Sequence, residues 1–176
     1  MAAGTADRLH PLDVFTEVAD AAWTAACPDA AARAEECARA AVAGAAAAGA
    51  ALPARAAEVC IVLAGDDMVA DLNARYRGKA GPTNVLSFPA SGGPLPGDPA
   101  VPDMLGDVVI AYGVSAAEAA DQGIALADHL SHLVVHGMLH LMGFDHETES
   151  EALRMEGLET DILRRLGVAD PYAREA

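Results

Sequence analysis

Apolar and polar residues follow strand-like and helix-like spacings along most of the chain. From residue 58 onward, three short apolar runs bounded by turn-forming residues predict buried strands at 58–65, 84–89 and 105–112. Between the first two runs, residues 66–77 carry apolar side chains at helical spacing and are followed by a glycine, which predicts a helix. Strands and helices that alternate in this way indicate an α/β or α+β sandwich.

The second half of the chain is dominated by predicted helices. A short helix is expected at 115–123, with Ser115 as its N-cap. The strongest helical pattern covers 124–142 and ends at Gly143, a residue type that commonly terminates helices. A last helix is predicted to begin at Thr148, which starts a capping-box pattern.

The first 57 residues give weaker signals because alanine dominates them. Residues 12–26 fit either a strand followed by a helix or a single helix, and 29–51 have strong helix propensity but few large side chains to anchor them. Residues 89–103 hold five prolines and three glycines, which predicts a long, mobile surface loop. Because this loop joins two predicted strands, at least one antiparallel pair is expected.

Charge and composition narrow the classes of function. A chain of 176 residues fits one domain, and its 42 alanines leave enough larger apolar residues for a compact core. The formal net charge of -15 produces a field that repels phosphate, which excludes a general nucleic-acid coating protein. If the protein acts on RNA or DNA, it needs a local basic patch or a bound cation.

Three cysteines and the chain's ends bear on the compartment. The number of cysteines is odd and no CxxC pair exists, so neither a disulfide framework nor a thiolate zinc site is expected. The N-terminal residues lack a basic segment followed by an apolar run, and the alanine-rich stretch at 38–57 is too interrupted for a membrane span. The prediction is a cytoplasmic protein with no membrane partner; its oligomeric state stays open.

A histidine cluster gives the strongest chemical signal. His136 and His140 are four residues apart on the predicted helix, so both imidazoles project from one face. Gly143 then lets the chain turn sharply, which can bring His146 back as a third ligand. Three imidazoles and an open fourth position are typical of a catalytic metal site, and this donor set suits Zn, Ni, Cu or Fe.

The spacing HxxxHxxGxxH is similar to that of the metzincin proteases, which place a glutamate directly after the first histidine as general base. Here Gly137 takes that position, so a peptidase of that mechanism lacks its base. Asp145 is a candidate proton acceptor, and a turn carboxylate is an equally good interpretation. We expect His129 and His132 to be solvated or to orient a ligand, and the role of His132 is left open.

A second cluster is basic. Arg75, Arg77 and Lys79 place three cations within five residues, and Lys79 is the only lysine of the chain. An arginine fork suits a phosphodiester and keeps its charge at any working pH. For Arg75 and Lys79, stabilisation of a helix C-terminus is an equally good explanation.

The strings YRGK, PTNVLSFP, LGDVVI and HGMLHLMGFDH, in this order, resemble the YbeY family of bacterial metal-dependent endoribonucleases. The resemblance covers about 58–166; the whole chain, 1–176, is treated as a single domain of this kind. It implies an α+β fold with a small, mixed, four-stranded sheet beside the metal helix. Phe144 stands where the family usually has tyrosine.

The resemblance also implies a site and a function. The family's metal ligands fall on His136, His140 and His146, and its important arginine falls on Arg77, with one zinc ion per chain. The implied activity is cleavage of single-stranded RNA in the maturation of the 16S rRNA 3′ end and in ribosome quality control.

The expected partners are ribosomal RNA and the small ribosomal subunit. A ribosomal protein or an assembly GTPase would supply affinity that so acidic a chain lacks, and Arg75 and Lys79 are candidate RNA contacts. Two alternatives stay open at this point. One is a zinc hydrolase of another class, such as a peptidase or amidohydrolase. The other is a non-catalytic ribosome-assembly factor in which the metal mainly stabilises the fold.

Overall fold

The computed structural model describes residues 10–91 and 100–173. Most of the loop predicted at 89–103 lies outside the described residues, as do residues 1–9, on which the expectation about a signal peptide largely rests.

Within these ranges, one sheet and six helices make up the fold. The strands are β1 (Leu12–Val18), β2 (Ala57–Ala64), β3 (Val85–Pro89) and β4 (Asp103–Ala111). The helices are α1 (Ala22–Ala26), α2 (Ala30–Ala47), α3 (Asp66–Arg77), α4 (Tyr112–Gln122), α5 (Leu126–Leu141) and α6 (Glu149–Arg165). Across the sheet the order is β1-β2-β4-β3, with β3 antiparallel to β4 and the other pairs parallel. The predicted α+β fold with a mixed four-stranded sheet is therefore confirmed.

The N-terminal segment forms a strand followed by a helix, the first of the two predicted possibilities. Trp23 of α1 is fully buried, and its Nε1–H donates to the carbonyl of Ala64 at 3.0 Å. Its ring also meets Tyr112 edge-on, with 5.4 Å between centroids. This one large side chain fixes α1 against the ends of β2 and β4.

Helix α2 is anchored through its alanines rather than through large side chains. Ala34, Ala38, Ala41 and Ala45 are fully buried along one face, and Gly44 lies against Ile162 of α6. Small side chains allow neighbouring helices to approach closely, and close contact compensates for the small area of each residue. Helix α2 therefore has few large side chains, as predicted, but it packs tightly against its neighbours.

The predicted N-cap at Ser115 is wrong. Helix α4 begins at Tyr112, and Ser115 lies fully buried inside it. The reason lies in a distant residue: the Asp66 carboxylate of α3 accepts a hydrogen bond from the Val114 backbone N–H at 3.1 Å. A carboxylate from a neighbouring element takes the place that a local cap would fill.

Helix α5 crosses the centre of the molecule, with Leu130, Val134 and Met138 fully buried. Helix α6 packs beside it and starts with the predicted capping box. The Thr148 hydroxyl accepts from the Glu151 backbone N–H at 3.3 Å, and the Glu151 carboxylate accepts from the Thr148 N–H at 2.9 Å. Among the described helices, none is long and apolar enough to cross a membrane.

Candidate metal centre

The turn that ends α5 brings its histidines into position. Gly143 has φ +89°, a conformation that glycine adopts without strain. The N–H of Gly143 donates to the carbonyl of His140, and the N–H of Phe144 donates to that of Leu139, both at 3.0 Å. The chain reverses so tightly that the Phe144 carbonyl accepts a hydrogen bond from His140 Nδ1–H at 3.0 Å. This bond leaves His140 Nε2 free to act as a ligand.

The three predicted ligands lie together. Nε2 of His136 is 3.1 Å from Nε2 of His140, and one nitrogen from each of His136, His140 and His146 lies within 4.8 Å of the others. A tetrahedral ion bound at about 2.0–2.1 Å separates its ligand nitrogens by about 3.3 Å. The separation between His136 and His140 is therefore close to what such an ion requires, and the three residues could hold a metal.

The surroundings of His140 favour its neutral form, which is the form that binds metals. Burial lowers the pKa of His140 below its usual value, and the neighbouring His136 and His146 lower it further. His136 is half-buried and His146 is exposed, so one side of the cluster is open to solvent. The arrangement leaves room for a ligand beyond the three imidazoles, as in catalytic sites.

The residue that sequence reasoning missed is Glu159. It is fully buried on α6, and its Oε1 accepts a hydrogen bond from His136 Nδ1–H at 2.5 Å. Burial raises the pKa of this carboxyl, but hydrogen bonds from His132, His136 and Tyr172 outweigh the burial and lower the pKa to about 2. The only sequence signal was a glutamate inside the apolar stripe of α6, next to buried Ile162 and Leu163.

His132, whose role the sequence left open, belongs to the same group. Its Nε2 lies 3.2 Å from Glu159 Oε2 and 3.3 Å from the hydroxyl of Tyr172, which itself donates to Oε2. His132 thus contacts the same carboxylate that accepts a hydrogen bond from His136 Nδ1–H. His129 instead pairs with Glu118 at 2.7 Å, near the other end of α5.

Gly137 faces the sheet, which explains why no glutamate can occupy this position. A Cβ there would lie 2.7 Å from Val108 Cγ1 and 3.1 Å from Ser87 Oγ. A peptidase of the metzincin mechanism therefore lacks its base here, and the packing leaves no room for one at this position. Asp145 stabilises the turn in which it lies, because its Oδ1 accepts a hydrogen bond from the His146 backbone N–H at 2.8 Å.

The basic cluster is split among different surroundings. Arg77, exposed at the end of α3, donates to the carbonyl of Ser87 at 3.3 Å, and the Ser87 hydroxyl donates to the Gly137 carbonyl at 3.2 Å. Strand β3 thus links Arg77 to the helix turn that carries His136. Arg75 pairs with Asp71 of its own helix at 3.0 Å, and Lys79 is exposed beyond the helix end.

The fold and these side chains define an α+β protein with a solvent-facing cluster of three histidines that could hold a metal ion. The family model "Endoribonuclease YbeY" matches residues 25–167. The chain is 50% identical over 167 residues to Endoribonuclease YbeY of Rhodospirillum rubrum, covering 93% of this chain and 83% of the relative. It is 49% identical over 166 residues to Endoribonuclease YbeY of Paramagnetospirillum magneticum, covering 93% and 98%.

The chain therefore belongs to the YbeY family, and the resemblance stated from its motifs is confirmed. A solution structure of TM1509 from Thermotoga maritima aligns with a TM-score of 0.48 at 18% identity, covering 93% of this chain and 99% of that one.

Proposed function

We propose that this protein is a metal-dependent endoribonuclease that cleaves single-stranded RNA and matures the 3′ end of 16S rRNA, with a part in ribosome quality control. The observation that carries the proposal is the convergence of three imidazoles on one solvent-facing point, in a chain of the YbeY family. The relatives' names supply the RNA substrate and the endonucleolytic reaction.

We assign the ion as zinc, one per chain, held by His136, His140 and His146. Imidazole nitrogen is a common zinc ligand, and a set of three with an open position is the catalytic form of such sites. When bound, the ion supplies a Lewis acid that polarises a phosphoryl oxygen and acidifies a bound water molecule. His140 is prepared for this role because the Phe144 carbonyl fixes its Nδ1–H.

Arg77 is the proposed catalytic residue beside the metal ligands. Its guanidinium keeps its charge at every working pH and presents a fork that matches two phosphate oxygens. The hydrogen bond to the Ser87 carbonyl uses one N–H group and leaves others for substrate. Arg77 would hold the scissile phosphate and stabilise the negative charge that grows on it during cleavage.

Arg75 and Lys79 are proposed to contact RNA farther from the reacting phosphate. Both are exposed near the end of α3, although Arg75 shares its charge with Asp71. Against a net charge of -15, three cations give limited affinity for free RNA. We therefore propose the small ribosomal subunit as the setting of the reaction, where a ribosomal protein or assembly GTPase adds affinity.

The cytoplasm is the proposed compartment, and the free thiols of Cys27, Cys37 and Cys60 agree with a reducing environment. We also propose that residues 1–176 form one domain. The described ranges support this, because α2, α5 and α6 contribute to one hydrophobic cluster with the inner face of the sheet.

The experiment measures zinc content and cleavage of an RNA that carries the 16S 3′ end and its precursor extension. We expect one zinc ion per chain, loss of cleavage after chelation and recovery on adding zinc. Arg77→Ala should lower the cleavage rate by about 100-fold, the effect of removing one charge-stabilising group. Arg164→Ala is the matched control, because Arg164 is exposed on α6 and pairs with Asp161. Cleavage that survives chelation would contradict the proposal.

A further inference from the structure

A buried carboxylate lies directly behind the three-histidine cluster. Glu159 Oε1 accepts from His136 Nδ1–H at 2.5 Å, while Oε2 accepts from Tyr172 and lies 3.2 Å from His132 Nε2. We propose that Glu159 is a positioning residue of the metal centre. In this proposal it selects the His136 tautomer whose Nε2 lone pair faces the ion, and its negative charge strengthens metal binding. The inference rests on the proposed metal-dependent function.

The hydrogen-bond geometry carries the first half of this inference. A neutral imidazole has one N–H and one lone pair, so a carboxylate at Nδ1 requires the proton there and places the lone pair on Nε2. Nε2 of His136 is the atom that lies 3.1 Å from Nε2 of His140. The carboxylate therefore aims the ligand atom of His136 at the point shared with His140 and His146.

The charge balance carries the second half. Glu159 is fully buried, and burying a lone carboxylate costs several kcal/mol unless other groups compensate. Hydrogen bonds from Tyr172, His136 and His132 stabilise it in its charged form. A divalent cation on the far side of the His136 ring would add a positive charge that attracts this carboxylate. Metal and carboxylate would then stabilise each other through the imidazole between them.

A competing interpretation is that the carboxylate is itself a metal ligand. One atom from each of His132, His136 and Glu159 lies within 4.8 Å of the others. This site would require His136 to give up its Nδ1–H bond, and its carboxylate has no exposure to solvent through which an ion could enter. We therefore assign the group a supporting role, and the test below includes the number of ions bound.

The main test measures zinc affinity of the full chain by competition with a chromophoric chelator. Glu159→Gln keeps the size of the side chain and removes its charge. We expect it to weaken zinc binding by about 10- to 100-fold, the usual effect of losing a group that orients a metal-binding histidine. Tyr172→Phe should have a smaller effect, since it removes one of the carboxylate's donors and leaves the charge.

The matched control is Asp161→Asn on the same helix, an exposed carboxylate paired with Arg164. It makes the same charge change and should leave zinc affinity within about twofold, because an exposed pair contributes little. A folded Glu159→Gln chain with wild-type zinc affinity would overturn the proposal. So would two zinc ions per wild-type chain, with the second lost in His132→Ala.

A second measurement needs no variant. Nitrogen NMR of the metal-free wild-type chain should show His136 with its proton on Nδ1, and a proton on Nε2 would overturn the inference. Both measurements are independent of RNA cleavage. A wild-type chain that binds zinc but cuts no RNA would contradict the proposed function and leave the role of Glu159 to be decided by the affinities.

Discussion

Two histidines of α5, one near each end of the helix, pair with carboxylates of neighbouring helices in opposite arrangements. Near its start, His129 Nε2 lies 2.7 Å from Glu118 Oε2; near its end, His136 Nδ1 lies 2.5 Å from Glu159 Oε1. The first imidazole is 4% exposed and its carboxylate 35% exposed, whereas the second imidazole is 24% exposed and its carboxylate fully buried.

The choice of ring nitrogen determines what each histidine can do. In the first pair the carboxylate occupies Nε2, the outer nitrogen, and Asn84 donates to both oxygens of the same carboxylate. His129 Nδ1 is buried and has no hydrogen-bond partner among the described residues. This pair joins α4 to α5 as a structural brace. In the second pair the carboxylate occupies the inner nitrogen, so the outer one is available to a ligand.

The largest expected effect separates the two pairs by substitution. His136→Ala should reduce bound zinc to background and abolish RNA cleavage, because two imidazoles hold zinc far more weakly than three. His129→Ala should keep the zinc and lose about 2 kcal/mol of unfolding free energy, because it removes a buried hydrogen bond and leaves a cavity. Zinc content by elemental analysis and urea unfolding measure the two effects.

The two variants control for each other, since each truncates one histidine of the same helix. A His129→Ala chain that folds but has lost its zinc would break the distinction between brace and ligand. Full zinc occupancy in His136→Ala would contradict the three-histidine site itself.

The positions of the metal-binding histidines were largely predictable from the sequence. His136 and His140 share a helix face because of their spacing, and Gly143 indicates the turn that returns the chain toward them. These contacts form within a dozen residues, so the local pattern contains the information they need. The mixed sheet could also be anticipated, since a proline- and glycine-rich connection joins its antiparallel strands.

The carboxylate behind His136 was not predictable, because its position depends on how distant segments pack. Glu159 reaches His136 across 23 residues, and the sequence alone does not state which face of α6 meets α5. The misassigned cap at Ser115 has the same origin, since the Asp66 carboxylate that binds the Val114 N–H comes from another helix. A charged residue within an apolar helical stripe is the kind of pattern that points to such partners.

A smaller expected effect is the pH dependence of stability that Glu159 causes. The pKa of Glu159 is lowered to about 2 in the folded chain, from an ordinary value of 4.5. A lowered pKa stabilises the folded state above pH 4.5, and this contribution disappears as the pH falls toward 2. In the metal-free chain, wild type should therefore exceed Glu159→Gln by roughly 3 kcal/mol of unfolding free energy near neutral pH. Urea unfolding at several pH values measures the difference.

The other pair supplies the control. Glu118→Gln removes a carboxylate that solvent reaches, so its loss should cost less than that of Glu159. A stability difference between wild type and Glu159→Gln that stays constant from neutral pH to pH 2 would show that the carboxylate's charge does not stabilise the fold.

The smallest expected effect concerns the contact that holds the His136 end of α5 against the sheet. Gly137→Ala would place its Cβ 2.7 Å from Val108 Cγ1, and overpacking of this kind costs about 1–3 kcal/mol. Gly157→Ala on α6 is the matched control, because, apart from its chain neighbours and its own helix backbone, no atom of the described residues lies within 4 Å of the added Cβ. It should gain about 0.5–1 kcal/mol from higher helix propensity. Thermal unfolding ranks the two against wild type. Because the displaced turn carries His136, zinc affinity should fall in Gly137→Ala and stay unchanged in Gly157→Ala. Equal stability and equal zinc affinity in the two variants would mean that contact with the sheet does not position His136.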